Sequence, residues 1–162
     1  MDPKEKQSEK ELLKEKIYNQ INKSICKIKI KDNIIITGYF CIIKFPDIFN
    51  YLPVLIINNY EFGENDIIKE KGIELILNSN EKSYIIIDES RKLYINKNYN
   101  IIIIEIKKND KIDINSFLEI DDDIYGDDIN NIYKNKEIYE IYYNKNGDIK
   151  YSFGKIKKNW WW

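Results

Sequence analysis

After Ser24 the apolar residues stop recurring at helical spacing and begin to alternate, with Cys26, Ile28 and Ile30 interleaved among Lys27, Lys29 and Lys31. Residues two apart share one face of an extended strand, so this pattern specifies a half-buried strand with a lysine-lined wet face. Asp32-Asn33 turns the chain, and a second extended run follows from Ile34 to about Ile43, with Gly38 inside it. Further runs at Val54 to Asn58, Ile73 to Leu77, Tyr84 to Asp88 and Ile101 to Ile106 are separated by Gly, Asn, Asp and Ser clusters. Beyond an acidic stretch, Ile138 to Tyr143 and Ile149 to Ile156 flank Asn144-Lys145-Asn146-Gly147, which is a hairpin signal. Short strands at this spacing form a small antiparallel barrel or sandwich. The composition agrees: 43% of residues are apolar, mostly Ile and Tyr, and there is no Ala. Branched and aromatic side chains fit a pleated surface better than a helix.

Residues 1–23 have the other periodicity. Asp2 can cap a helix, Pro3 takes the first helical position, and Glu5 completes a pattern like a capping box. Leu13, Ile17 and Ile21 form one stripe. Such a stripe is expected to lie on the helix's own domain, and the alternative is a helix that binds a partner or oligomerises. At 162 residues the chain suits one domain or two small subdomains. The expected division is an amphipathic helix at 1–23, a first β-barrel at 24–118, an acidic linker at 119–136, a hairpin at 137–156 and a basic, Trp-rich tail at 157–162.

Charge and composition exclude several functions. The 26 basic and 27 acidic residues nearly cancel, which leaves no broad electropositive surface for duplex nucleic acid. Apolar runs such as Leu52 to Ile57 fall far short of a membrane span, and no leader-like segment follows Met1, so a cytoplasmic protein is expected. Trp160, Trp161 and Trp162, behind Lys155, Lys157 and Lys158, are expected to be a frayed end, and the alternative is a tail for a membrane interface or for stacking on single-stranded nucleic acid. Cys26 and Cys41 are expected as buried free thiols. With no His and two Cys, a structural zinc site is excluded. Asp121, Asp123 and Gly126 echo a calcium loop, but Tyr125 and Ile132 fall at positions where ligands belong. Neither a metal nor a cofactor is expected.

Three separated segments carry a resemblance. Thr37-Gly38-Tyr39-Phe40-Cys41 resembles the Gly-x-Gly-Phe-type strand of trypsin-like serine peptidases. Leu52 to Tyr60 resembles the strand that carries the family's general base, with Tyr60 in place of the histidine. Tyr99 to Ile106 resembles the segment in which an Asp introduces an apolar strand, with Asn100 in place of that Asp. The hairpin from Ile138 to Ile156 then resembles the opening of the family's second barrel. The resemblance covers roughly Ser24 to Ile156. It implies a mainly β fold: an antiparallel barrel of trypsin-like type, a partial second barrel and an N-terminal α-helix, truncated before any loop of the Gly-Asp-Ser-Gly type.

The implied chemistry is that of a degenerate triad. A tyrosine hydroxyl titrates near pH 10, so Tyr60 stays protonated at neutral pH and cannot accept a serine proton. An amide at Asn100 neither fixes a tautomer nor stabilises a cation as a carboxylate does. No serine stands in Gly-x-Ser-x-Gly, and Ser152 has a single Gly two residues on. Two Ser-x-x-Lys matches, Ser24 with Lys27 and Ser79 with Lys82, are at the chance level for so lysine-rich a chain. Carboxylates such as Glu74 and Asp88 fit many acid-base schemes and single out none. The expected function is an inactive protease homologue that binds protein, through a partner or through self-association at exposed strand edges. The alternatives are a serine endopeptidase fragment of a longer gene, and an unrelated β-domain with an oligomerising N-terminal helix.

Overall fold

The computed structural model describes residues 12, 15, 17–29, 35–45, 48–58, 72–121 and 132–157. Helical residues between 12 and 24 (α1) lead into β1 (Ile25–Lys29), β2 (Ile35–Phe45) and β3 (Ile48–Asn58). Then follow β4 (Gly72–Leu77), β5 (Lys82–Ile86), β6 (Leu93–Asn96), β7 (Ile101–Glu105), β8 (Leu118–Glu119), β9 (Glu137–Tyr143) and β10 (Ile149–Lys155). The fold is mainly β, as the alternation requires. One sheet runs in the order β5-β4-β1-β2-β3-β7-β6 and curls into a half-barrel. Its neighbours along that path are antiparallel, and β8 adds a short parallel pairing to β2 at Cys41 and Ile42.

Period-two patterning decides what the curl encloses. Cys26 and Ile28 of β1 pair with Gly38 and Ile36 of β2, and these positions share the concave face with Phe40, Leu55, Leu75 and Ile104. All the side chains in this cluster are buried, and Phe117 from beyond β7 closes over it, stacked on Phe40 at 5.0 Å between ring centroids. Gly38 is required where side chains of β1 and β3 close over β2. A Cβ there would lie 2.7 Å from Leu55 Cδ1, 2.8 Å from Ile28 Cδ1 and 2.9 Å from Cys26 Sγ.

The chain's one arginine fastens the two flanks of the sheet. The Arg91 guanidinium makes a bidentate pair with Asp110, at 2.7 and 2.8 Å, and both residues are buried. Its Nε also donates to Ile86 O of β5 and its Nη1 to Glu105 O of β7, each at 2.6 Å. Asp110 is held in turn by the Lys107 N–H at 2.7 Å. A guanidinium presents several donors in a fixed fork, which suits it to bridge carbonyls from two strands and a carboxylate at once. Charge alone would not do this.

The convex face carries α1 and the hairpin β9–β10. Ile21, Ile25 and Tyr143 form a second buried cluster there, with Ile17, Ile35, Tyr39, Ile141 and Ile149 packed against it. So Ile17 and Ile21 cover their own domain. Leu13 and the capping residues Asp2, Pro3 and Glu5 lie outside the described residues.

Strand limits differ from expectation in several places: β5 lies two residues before the expected Tyr84 to Asp88, β2 runs on to Phe45, and β3 and β8 differ as well. β3 begins six residues before Val54, because Pro53 does not end it. Pro53 O accepts from Ile106 N–H at 2.8 Å, so the missing donor of Pro53 faces the β7 side just past the last paired residue of β7. β6 also forms, although four residues are too few to show a period.

Candidate functional site

β3 and β7 meet beside Asn100, one of the two triad-like positions. β3 ends at Asn58, which is in register with Ile101, the first residue of β7. Asn100 therefore sits beside the end of β3, in the turn that leads into β7. Its φ of 53° is in the left-handed region, which asparagine tolerates better than most residues, so the turn itself gives a reason for an amide here. Asn96 Oδ1 accepts from the N–H of Asn98 and of Tyr99, at 3.1 and 3.3 Å, and shapes that turn. Tyr60 lies outside the described residues.

Beside this corner the hairpin stands edge-on upon β2. Tyr143 N–H donates to Thr37 Oγ1 at 2.8 Å, and Tyr39 Oη donates to Ile141 O at 2.8 Å. Two side chains of β2 thus take the place of a partner strand for β9. Tyr143 adds a hydrogen bond from its phenol to Asn78 Oδ1, and Asn78 Nδ2 donates to Asn22 of α1 at 3.1 Å. Lys27 Nζ lies 5.0 Å from the centroid of the Tyr143 ring, within cation–π range. The turn closes over β2 through Gly147, whose φ of 81° and approach to Ile35 leave little room for a side chain.

Because β9 stands on its edge, it divides the convex face into two grooves. One, of about 500 Å³, is lined by Thr37, Tyr39, Asn58, Glu140 and Tyr142 among others, and so reaches the end of β3. The other, of about 410 Å³, lies between α1 and the hairpin and is lined by Ile17, Ile21, Tyr39, Tyr139 and Ile141 among others. Tyr39 and Glu140 border both. Burial raises the Tyr39 phenol above its ordinary value and pushes that of Tyr143 up to about 12. Both hydroxyls therefore stay protonated as donors at neutral pH.

The other sequence candidates are occupied elsewhere. Ser24 Oγ is buried between Gln20 O at 2.6 Å and Ser116 O at 2.5 Å. Ser79 accepts from Glu81 N–H at 3.4 Å, and Ser152 donates to Glu140 Oε2 at 2.8 Å. Glu74 is paired with Lys82 at 2.8 Å, whereas Asp88 accepts from Ser90, so these carboxylates have separate partners. Cys26 and Cys41 are free and buried. They cannot pair across β1 and β2, because Cys26 is opposite Gly38 and Cys41 lies an odd number of residues further on, on the other face. Burial raises both thiols, that of Cys41 to about 11, so neither is a thiolate nucleophile at neutral pH.

Of the acidic run, residues 122–131 lie outside the described residues, as do Trp160, Trp161 and Trp162. Among the described residues no cluster of metal-ligating side chains occurs, and no helix is long and apolar enough to cross a membrane. Sequence reasoning missed the seat of the hairpin. Thr37 and Tyr39 alternate with Gly38 and Phe40 along β2, and a hydroxyl at each of two successive positions of one face was the available signal. The chain matches no protein-family model, no curated protein and no solved structure.

Proposed function

We propose that this chain is a non-catalytic relative of trypsin-like serine peptidases, and that its groove beside the hairpin holds an extended peptide. One observation carries the reading: the strand resembling the family's base-bearing strand pairs with the strand resembling its carboxylate-led strand, and the larger groove ends at that corner. In a triad the base and its orienting carboxylate lie within hydrogen-bond reach, and pairing of the strands that lead to them is one way to bring them close. The β3–β7 register supports this at Asn58 and Ile101. No imidazole is encoded in these 162 residues, and a tyrosine at 60 holds its proton at neutral pH.

The groove suits an extended peptide in size and in its mixed apolar, polar and charged lining. Its volume of about 500 Å³ is within the usual range for a ligand site. Aromatic rings of Tyr39 and Tyr142 line it together with the amide of Asn58 and the hydroxyl of Thr37, a mixture that peptide side chains and amides can use. Two measurements test the reading. Incubation with a fluorophosphonate probe is expected to label no serine, and labelling of any serine overturns the non-catalytic assignment. Peptides selected on the immobilised protein are expected to lose tenfold or more in affinity with Tyr142→Ala or Asn58→Arg, both exposed; unchanged binding places the peptide site elsewhere.

A further inference from the structure

Among the described residues the hairpin leaves one long edge unpaired, and the hydrogen-bond parity identifies it. Ile156 N–H donates to Lys136 O at 3.1 Å and Asn144 N–H to Asp148 O at 3.0 Å, so the bonded pairs of this ladder are even-numbered residues, Glu140 with Ser152 among them. The odd residues of β9 point the other way, towards Thr37 and Tyr39 of β2. By the same alternation Ile149, Tyr151, Phe153 and Lys155 aim their backbone N–H and C=O groups outward from β10, the last strand of its sheet.

Proteins commonly blunt such an edge by shortening it, bulging it, or placing Pro or charged residues such as Lys in it, and of these devices β10 has only Lys150 and Lys155. β6 is four residues long and β5 is five. β10 runs for seven residues in unbroken register without Pro, and exposes Tyr151 at 43% and Phe153 at 73%. Phe153 already meets Tyr139 edge-to-face at 5.2 Å.

We propose that β10 pairs with β10 of a second copy of this chain, antiparallel about a two-fold axis through Ser152. Ser152 is the middle residue of the strand, so this register uses its whole length. It sets Tyr151 opposite the partner's Phe153, Lys150 opposite the partner's Gly154 and Ile149 opposite the partner's Lys155. Every lysine faces an uncharged residue. The existing pair then becomes a row across the joint sheet: Tyr139, Phe153, the partner's Tyr151 and the partner's Ile141. Aromatic cross-strand pairs of this kind stabilise a sheet, and four bonded pairs supply about eight backbone hydrogen bonds. A net charge of −1 gives two copies little reason to repel one another. Because β9 is seated on β2, the joint sheet ends at four strands and closes as a dimer.

The proposal is independent of the peptide groove, since Tyr142→Ala leaves the β10 edge untouched. Light scattering over a concentration series is expected to show a monomer–dimer equilibrium. Phe153→Pro removes one outward N–H and one ring of the row, and is expected to abolish the dimer while the circular dichroism spectrum is kept. Phe153→Lys serves as the second variant, and is expected to weaken dimerisation tenfold or more. Under mild oxidation Ser152→Cys is expected to give a disulfide-linked dimer, because residues facing each other across the axis in a non-bonded pair have Cα atoms about 4.5 Å apart. The native thiols are buried and do not interfere. A monomer at every concentration overturns the proposal. So does a dimer that survives both Phe153 variants, or one that Ser152→Cys fails to cross-link.

Discussion

The half-barrel and the hairpin standing on it are written in the same alphabet of Ile, Tyr and Lys, yet they are held by different means. In the half-barrel each apolar position of the concave face meets another across the curl, and a buried ion pair fastens the flanks. In the hairpin only Ile141, Tyr143 and Ile149 find apolar cover, and β9 is tied down by two hydroxyl groups. Tyr139, Tyr151 and Phe153 lie on the same face and stay exposed. Alternation therefore makes a core only where a second layer lies opposite. Where none does, the same pattern becomes surface available to a partner.

The contrast breaks most sharply at Arg91. Arg91→Leu leaves a buried Asp110 carboxylate without its main partner, and is expected to lower unfolding free energy by about 3–5 kcal/mol in urea titrations. Adding Asp110→Leu is expected to restore much of the loss, because it is the unpaired charge that costs most. If the single variant costs no more than an exposed residue does, the ion pair does not hold the flanks together. Gly38→Val comes next. Its side chain would have to displace Leu55, Ile28 and Cys26 together, and about 1–3 kcal/mol of destabilisation is expected in the same titration.

The seat of the hairpin is weaker. Thr37→Val and Tyr39→Phe each remove one hydrogen bond to β9, and each is expected to cost about 1 kcal/mol. Amide exchange separates this from a barrel effect: β9 amides are expected to exchange faster while those of β3 and β7 stay protected. Alkali probes the same joint. Burial lifts the Tyr143 phenol to about 12 in the folded chain against about 10 when unfolded, so folding binds a proton that the unfolded state has lost. That contribution is complete below pH 10 and fades as the pH rises towards 12, so stability is expected to fall there less steeply in Tyr143→Phe.

Much of this contrast was legible in the sequence. The alternating run at Cys26 to Lys31 set the inward face of β1, and the Asn-Lys-Asn-Gly segment marked the hairpin, because both signals are local. β6 was not legible, since four residues carry no period, and Pro53 hid the first half of β3. Neither was the role of Arg91. A lone arginine in a lysine-rich chain is conspicuous, but its partner lies 19 residues away and its two carbonyls belong to different strands, which only the curl brings together. At the candidate site the sequence did not show Thr37 and Tyr39, because side chains that replace a neighbouring strand leave no periodic trace.

The smallest expected effect is at Phe153, and there the comparison becomes sharpest. A ring that is 73% exposed contributes little to the fold of its own chain, so Phe153→Ser is expected to change the stability of dilute protein by no more than about 0.5 kcal/mol. Association with a second copy adds stability by mass action, so the wild-type melting temperature is expected to climb with protein concentration. Phe153→Ser should flatten that climb without moving its dilute limit. A core substitution such as Gly38→Val should lower the whole curve and leave its slope. Should Phe153→Ser instead lower the dilute limit by as much as Gly38→Val, the exposed aromatic face would belong to the monomer's own stability, and the distinction between the two regions would fail at the residue where it was drawn most firmly.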